Sequence, residues 1–383
     1  MTLTDYLESQ LKAYLAALQR LVAIDSGTYD KEGGNLINDW LAARLVRAGF
    51  TIQRFPQKET ADHLLAQLRG GGRAKLLLLG HCDTVYPRGT AAQRPLRLVG
   101  DRLMGAGTCD MKAGLLNGIY AIEALQARGF NDFALLNLLC VADEEVDERT
   151  SIPLILRAIR GCDAVLTLEA ARENGDIVTA RKGNVVICAR AQGRSAHAGV
   201  EPEKGRNAIS GLMRRLLEVE SLAKPKAGIT INIGTISGGS LPNVVPDHAR
   251  ASIDIRAFEQ DELDRTVAEI EAVFARPGED DITFRLNHRL ASPPMPCTDA
   301  VASLEKLAVK AAQSLGFELR GVSTGGAADS AFAAQAGVPA LDGLGPIGGL
   351  DHGPDEYILK SSIVPRIALL AELIRLICGV KNG

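Results

Sequence analysis

Amphipathic stretches and unbroken apolar runs alternate along the first part of the chain, and that alternation sets the expected fold. Apolar positions recur with a helical period near residues 4–23 and 34–49, whereas Lys75-Leu-Leu-Leu-Leu-Gly80 has no period at all. A run of large apolar residues without polar alternation predicts a strand buried on both faces, as in a parallel sheet covered by helices. A helix is expected near 112–128 and further strands near 133–142 and 164–168. Strands separated by helical segments predict an α/β domain built on a mainly parallel sheet flanked by helices.

From about residue 183 the order changes. A strand near 184–192, a helix near 206–223, strands near 228–236 and 249–257, a helix near 260–275 and a strand near 282–286 give βαββαβ, the ferredoxin-like arrangement. After Pro293-Pro294-Met-Pro296 the α/β pattern resumes, with helices near 299–315 and 361–378. The expected organisation is a discontinuous domain, 1–182 and 291–383, interrupted by an inserted ferredoxin-like domain at 183–290. Internal repeats and low-complexity stretches are absent, and Lys224-Pro-Lys-Ala-Gly228 reads as an exposed loop.

Composition narrows the function classes. With 383 residues and 46% hydrophobic content the chain can bury two cores. A formal charge of −3 and the lack of any basic block speak against nucleic acid as a partner. No run of about 18 apolar residues occurs, so no membrane span is expected. The first ten residues lack the charged and apolar regions of a secretory leader. Seven cysteines, an odd number without any Cys-x-x-Cys pair, fit neither a disulfide framework nor a thiolate zinc site, and a reducing cytoplasm is the expected compartment.

Candidate chemistry lies where the predicted strands end, which is where open α/β sheets form their crevices. His81 and Asp83 close the first run, Glu144-Glu145 follows the strand near 133–142, and Glu169 follows the strand near 164–168. Asp110 sits in Gly105-Ala-Gly107-Thr-Cys-Asp110, and His352 in Asp351-His352-Gly353-Pro354. Buried carboxylates must be paired, protonated or metal-bound. Mixed imidazole and carboxylate donors suit zinc, with manganese or cobalt as lesser options. Two other readings fail. Gly105-Ala-Gly107 begins like a dinucleotide fingerprint, but Asp110 stands in place of the third glycine and would face a pyrophosphate. Gly193-Arg-Ser195-Ala-His197 lacks the second glycine and the strand-to-helix elbow of a serine nucleophile.

As an ordered set, Gly80-His81-Cys-Asp83-Thr-Val85, Gly105–Gly114, Asp143-Glu144-Glu145, Leu168-Glu169, Ser195-Ala-His197-Ala-Gly199 and Asp351-His352-Gly-Pro-Asp-Glu-Tyr357 resemble the motifs of one family. It is the co-catalytic zinc exopeptidases and deacylases, which include glutamate carboxypeptidase, acetylornithine deacetylase, succinyl-diaminopimelate desuccinylase and aminoacylase. The resemblance covers nearly the whole chain. It implies that His81, Glu169 and a bridging Asp110 hold one divalent ion, most simply zinc, and that Asp110, Glu145 and His352 hold a second. Two ions bring about +4, three carboxylates return about −3, and a hydroxide closes the balance. The resemblance makes Glu144 the general base that takes a proton from the attacking water and passes it to the leaving amine. Asp83 would accept the other ring N–H of His81. The Asp110-Met111 peptide is implied to be cis.

The same resemblance turns the inserted domain into a lid and homodimerisation domain, and implies that His197 of one subunit donates to the developing oxyanion in the site of the other. Asn243 and Arg256 match substrate-contacting lid positions, Arg256 being suited to a carboxylate. Thr324 and Gly325, in a glycine-rich turn, could receive a terminal carboxylate on backbone N–H groups, with Arg289 a further substrate candidate. Closest is the glutamate carboxypeptidase branch, although Ala327 and Ala328 before Asp329 depart from its pattern. The expected activity is a dinuclear-metal carboxypeptidase that releases a free-carboxylate amino acid, glutamate-like in one case, from a small peptide or N-acyl conjugate. N-acyl-amino-acid deacylation is the alternative. A noncatalytic metal-binding relative would lack the base that Glu144 supplies.

Overall fold

The structure, a computed structural model, describes residues 2–146, 149–277 and 281–382. The chain divides into two compact units: residues up to Thr179 with Cys297–Thr324 and the chain from Ala328 on, and Ala180–Pro296 with Gly325–Ala327.

The first unit is built on a six-stranded sheet in the order Thr51–Phe55, His63–Arg69, Leu135–Val141, Lys75–His81, Ala164–Thr167, Ala340–Leu341. Lys75–His81 lies parallel to both neighbours, and Ala340–Leu341 lies parallel to Ala164–Thr167. The sequence pattern does not predict the antiparallel edge made by Thr51–Phe55 and His63–Arg69. Leu76, Leu77, Leu78 and Leu79 are fully buried, as a strand covered on both faces requires. Each such side chain contributes about 2 kcal/mol of apolar burial.

The helix Leu3–Val22 begins at a capping box, in which the Thr2 side chain accepts from Asp5 N and the Asp5 side chain accepts from Thr2 N. It packs with Ala113–Ala127 and Ile363–Asn382, and the last also packs on Asp299–Ser314. Ala113–Ala127 approaches the end of Ala164–Thr167 closely, because a Cβ at Gly114 would stand 1.8 Å from Leu168 O. Glycine here lets the helix that follows Asp110 lie against the backbone that presents Glu169. A small antiparallel sheet of Gly348–Gly349, Tyr357–Leu359, Arg102–Met104 and Arg97–Val99 ties the segment before Asp110 to the segment around His352.

The second unit runs Gly183–Gln192, helix Ala208–Glu220, Thr230–Gly238, His248–Ala257, helix Gln260–Ala275, Thr283–Ser292. Its sheet order is Thr230–Gly238, His248–Ala257, Gly183–Gln192, Thr283–Ser292, with every neighbouring pair antiparallel. Alternate residues of these strands, Ile187, Ile253 and Ile255 among them, meet Leu212 and Ile270 of the helices in a separate core. The turn Gly325–Ala327 belongs to this unit, although it lies in the 291–383 span expected to complete the first. The reason is local: Arg256 Nη1 donates to Gly325 O at 2.8 Å and Arg181 Nη1 to Gly326 O at 3.0 Å.

Candidate metal centre

His81 ends its strand as a buried residue, and its Nε2 lies 2.9 Å from Asp110 Oδ1 and 3.6 Å from Glu169 Oε1. From the other side, His352 Nε2 lies 3.1 Å from Asp110 Oδ2 and 3.1 Å from Glu145 Oε2. Asp110 therefore stands between two histidines with one oxygen toward each. In each triad, His81/Asp110/Glu169 and Asp110/Glu145/His352, donor atoms from all three residues lie within 4.8 Å of one another. Glu145 Oε1 is buried and has no hydrogen-bond partner, and Asp110 Oδ1, equally buried, meets only the His81 ring. Such oxygens are costly unless something positive meets them, so this donor set fits divalent cations.

For the protein side chains alone, burial drives the Glu144 carboxyl well above the ordinary range and pushes Glu145 up. Glu169 rises to about 7, through burial and then the charge of Asp110. Burial acts the same way on Asp110, but hydrogen bonds with His352 and His81 outweigh it and hold Asp110 low. His352 rises to about 11 through its bonds to Asp110 and Glu145. His81 is lifted well above its usual value against its burial, by bonds to Asp110, Asp83 and Glu169. The histidines thus take the role that a cation would fill, which is what a metal-binding cluster does when protons compete for it.

Asp83 does more than orient His81. Its Oδ1 lies 3.3 Å from His81 Nδ1, and it also accepts from Glu144 N at 3.2 Å, while Oδ2 accepts from Glu145 N at 3.1 Å and Thr28 Oγ1 at 2.8 Å. One carboxylate therefore fixes a ring and the backbone of both glutamates. The loop is tied down again at Asp143, whose Oδ2 accepts from Thr150 N at 2.6 Å and Ser151 N at 3.1 Å. Arg149 Nη1 lies 2.6 Å from Asp329 Oδ1.

Sequence reasoning assigned no role to Glu356. It is fully buried and accepts from Gly107 N at 2.9 Å, Cys109 N at 2.7 Å and Asp110 N at 3.1 Å, and from the Tyr86 hydroxyl at 2.7 Å. It holds the turn that aims Asp110. The Asp110-Met111 peptide is cis, as the resemblance implies. His352 has φ of +61°, in the left-handed region that non-glycine residues seldom enter.

The second unit carries the other candidates. His197 is exposed, pairs in a β-bridge with Val244, and its Nδ1 accepts from Gly199 N at 3.2 Å. Asn243, also exposed, accepts from Ala198 N at 3.0 Å through its backbone oxygen. His197 and Asn243 are thus brought together. Arg256 is brought to Gly325, but its fork already pairs with Asp254, Nε to Oδ1 at 2.9 Å and Nη2 to Oδ2 at 3.2 Å. At Gly325 the engaged group is the carbonyl, not the N–H expected to receive a carboxylate. Thr324 ends the strand Gly321–Thr324 of the first unit, and Arg289 lies in Thr283–Ser292 opposite Val186.

A profile of peptidase family M20/M25/M40 matches residues 77–376. The chain belongs to this family. It is 29% identical to carboxypeptidase G2 of Pseudomonas sp., over 94% of this chain and 88% of that protein. It is 30% identical to acetylornithine deacetylase of Proteus mirabilis, over 98% of this chain and 97% of that protein. Among solved structures, a tripeptidase from Staphylococcus aureus shares the fold with a TM-score of 0.82 at 20% identity, covering 96% of this chain and 99% of its own. The M20 member is accordingly a metal-dependent amidohydrolase of the exopeptidase class. No helix among its described residues is long and apolar enough to cross a membrane.

Proposed function

We propose that this M20 protein is a dinuclear carboxypeptidase that releases a free-carboxylate amino acid from a peptidyl or N-acyl conjugate. The observation that carries the reading is Asp110, which offers one oxygen to each of two histidine–carboxylate triads. His81, Asp110 and Glu169 would hold one ion and Asp110, Glu145 and His352 the other, with zinc expected from the donor set and cobalt or manganese as substitutes. When bound, the ions supply Lewis-acid polarisation of the scissile carbonyl and acidify the attacking water. Glu144 takes the proton of that water and returns it to the amine that leaves. Asp83 holds the backbone N–H groups of both glutamates and so fixes the segment from which one carboxylate takes the proton and the other binds.

A cavity of about 690 Å³, lined by Tyr29, Val85, Tyr86, Val146 and Glu145 among others, adjoins the cluster and supports a peptidyl or bulky acyl substrate over an N-acetyl one. An acetyl group would leave most of it unfilled, whereas a peptidyl or larger acyl group would not. A panel of peptidyl and N-acyl amino acids assayed with zinc, cobalt and manganese tests the choice. Peptidyl and bulky acyl conjugates should exceed N-acetyl amino acids in kcat/KM by about tenfold or more. The opposite order would make the protein a deacylase, and no hydrolysis with any metal would overturn the reading as a whole.

The second unit is proposed to be the inserted ferredoxin-like lid and homodimerisation domain, supported by its βαββαβ order and antiparallel sheet. His197 would act in the partner's site, and Asn243, Arg256, Thr324, Gly325 and Arg289 would contact substrate. A cytoplasmic location agrees with the seven unpaired cysteines. Mixing His197→Ala with Glu144→Gln under subunit exchange should restore hydrolysis, because a mixed dimer has one site with both residues intact. Demonstrated heterodimers as inactive as their parents would place His197 outside the reaction or in its own chain's site.

A further inference from the structure

The helix Ile363–Asn382 begins beside a cavity of about 460 Å³ that shares no residue with the metal cluster. Leu315, Phe317 and Ile347 form part of its apolar wall, and Asn174, Ser361 and Arg366 part of its polar one. Arg366 is only 2% exposed. Its Nε donates to Gly345 O at 3.0 Å, its Nη1 to Gly175 O at 2.9 Å and its Nη2 to Gly343 O. A guanidinium has five N–H donors, so these bonds leave one on each Nη. Arg366 and Gly175, joined through Nη1, both line the cavity.

Carbonyl dipoles satisfy donors without neutralising the charge, and arginines this deeply buried normally have an acidic partner. Burial accordingly brings the guanidinium down to about 10, with the charge of Asp176 acting in the other direction. The oxygens of Asp176 are engaged elsewhere, accepting from Asn174 Nδ2 at 2.7 Å and Arg320 N at 3.2 Å. Two helices of 20 residues, Leu3–Val22 and Ile363–Asn382, bring first-turn residues to the cavity, Thr4 from one and Pro365 and Arg366 from the other. Their positive ends add to the attraction for an anion. Four acids oppose it: Asp176, whose charge already reaches Arg366, Asp5 in the capping box at the start of Leu3–Val22, Asp101, which accepts from Ser361 N at 3.0 Å, and Glu318 on the wall, whose side chain is 92% exposed.

We propose that this cavity is a second ligand site that takes a small monocarboxylate with an apolar body, the carboxylate on Arg366 and the body against Leu315, Phe317 and Ile347. A route to the metal centre exists. Gly345 accepts from Arg366 through its oxygen, and its N–H donates to Glu169 O at 2.8 Å. A ligand that draws on Arg366 therefore pulls on the backbone that presents Glu169. Amide hydrolysis yields carboxylic acids, so the site would sense the class of molecule that the enzyme releases. Only this effect on turnover rests on the proposed activity, since binding is independent of it.

The test uses metal-loaded protein and calorimetric titration with 3-phenylpropionate, and with its neutral amide as the control. The acid should bind at least about tenfold more tightly than the amide. Phe317→Ala should weaken it by about tenfold, and Glu318→Lys should strengthen it by about threefold. In the hydrolysis assay the acid should change kcat without competing with substrate. Equal binding of acid and amide, or binding unaffected by both substitutions, would overturn the site. So would binding that is lost on chelation and is purely competitive, because the acid would then be sitting on the metals. If no amide is hydrolysed, the titration still decides the site, and only the activity reading fails.

Discussion

Glu144→Gln is expected to retain the metal content of the parent protein and to lose hydrolysis by about three orders of magnitude, the middle of the range for a positioned general base. The substitution preserves shape, and the backbone at 144 is held by Asp83 Oδ1 whatever the side chain. An amide cannot take the proton, so kcat should fall with little change in KM. Glu145→Gln should behave differently. Its side chain lies 3.1 Å from His352 and is nearly buried, so the loss should appear in metal affinity before it appears in the chemical step. Elemental analysis beside steady-state kinetics separates the two. Metals lost from Glu144→Gln but kept by Glu145→Gln would mean that the two glutamates exchange roles.

What could be read from the sequence followed from how strongly each residue's surroundings are written into its neighbours. Four consecutive leucines that stop at Gly80 favour a short doubly buried strand over a helix, so the delivery of His81 and Asp83 to a sheet end was legible from residues 75–83. The acids after the next two strands were legible for the same reason. The antiparallel edge was not, because Thr51–Phe55 is a half-exposed edge strand whose Gln53 and Arg54 break any apolar pattern. Glu356 was hidden for another reason. A carboxylate that accepts backbone N–H groups from residues about 250 positions away leaves no local signature. The same holds for Arg149 with Asp329 and for Arg366 with its three carbonyls. One signal was present and went unused. Asp254 and Arg256 are two apart on a strand and so share a face, which already suggested that the arginine fork has a partner of its own.

Chelation is expected to abolish hydrolysis and to lower the melting temperature by at least about 5 °C, by a margin that widens as pH rises. A ligand present at a thousandfold excess over its dissociation constant contributes about 4 kcal/mol, and each kcal/mol moves the midpoint of a large domain by about 2 °C. The pH dependence follows from the form each group prefers in the metal-free fold. Glu169, raised from 4.5 to about 7, and Glu145, also raised, favour their protonated forms there, so the metal-free fold loses stability as pH climbs from the ordinary glutamate value through the raised ones. His352, raised from 6.5 to about 11, favours its charged form; its contribution is complete below 6.5 and is lost as pH rises toward 11. Asp110 is lowered, so its contribution is already complete above 3.8 and stays constant across neutral pH. Metal binding needs these same groups deprotonated and strengthens in the same direction. Thermal melts with zinc and with chelator at about pH 6, 7 and 8 read the difference directly. A gap that narrows with rising pH would show that protons and metal do not compete for this cluster, and full activity after verified metal removal would overturn the assignment of His81, Asp110, Glu145, Glu169 and His352 as ligands.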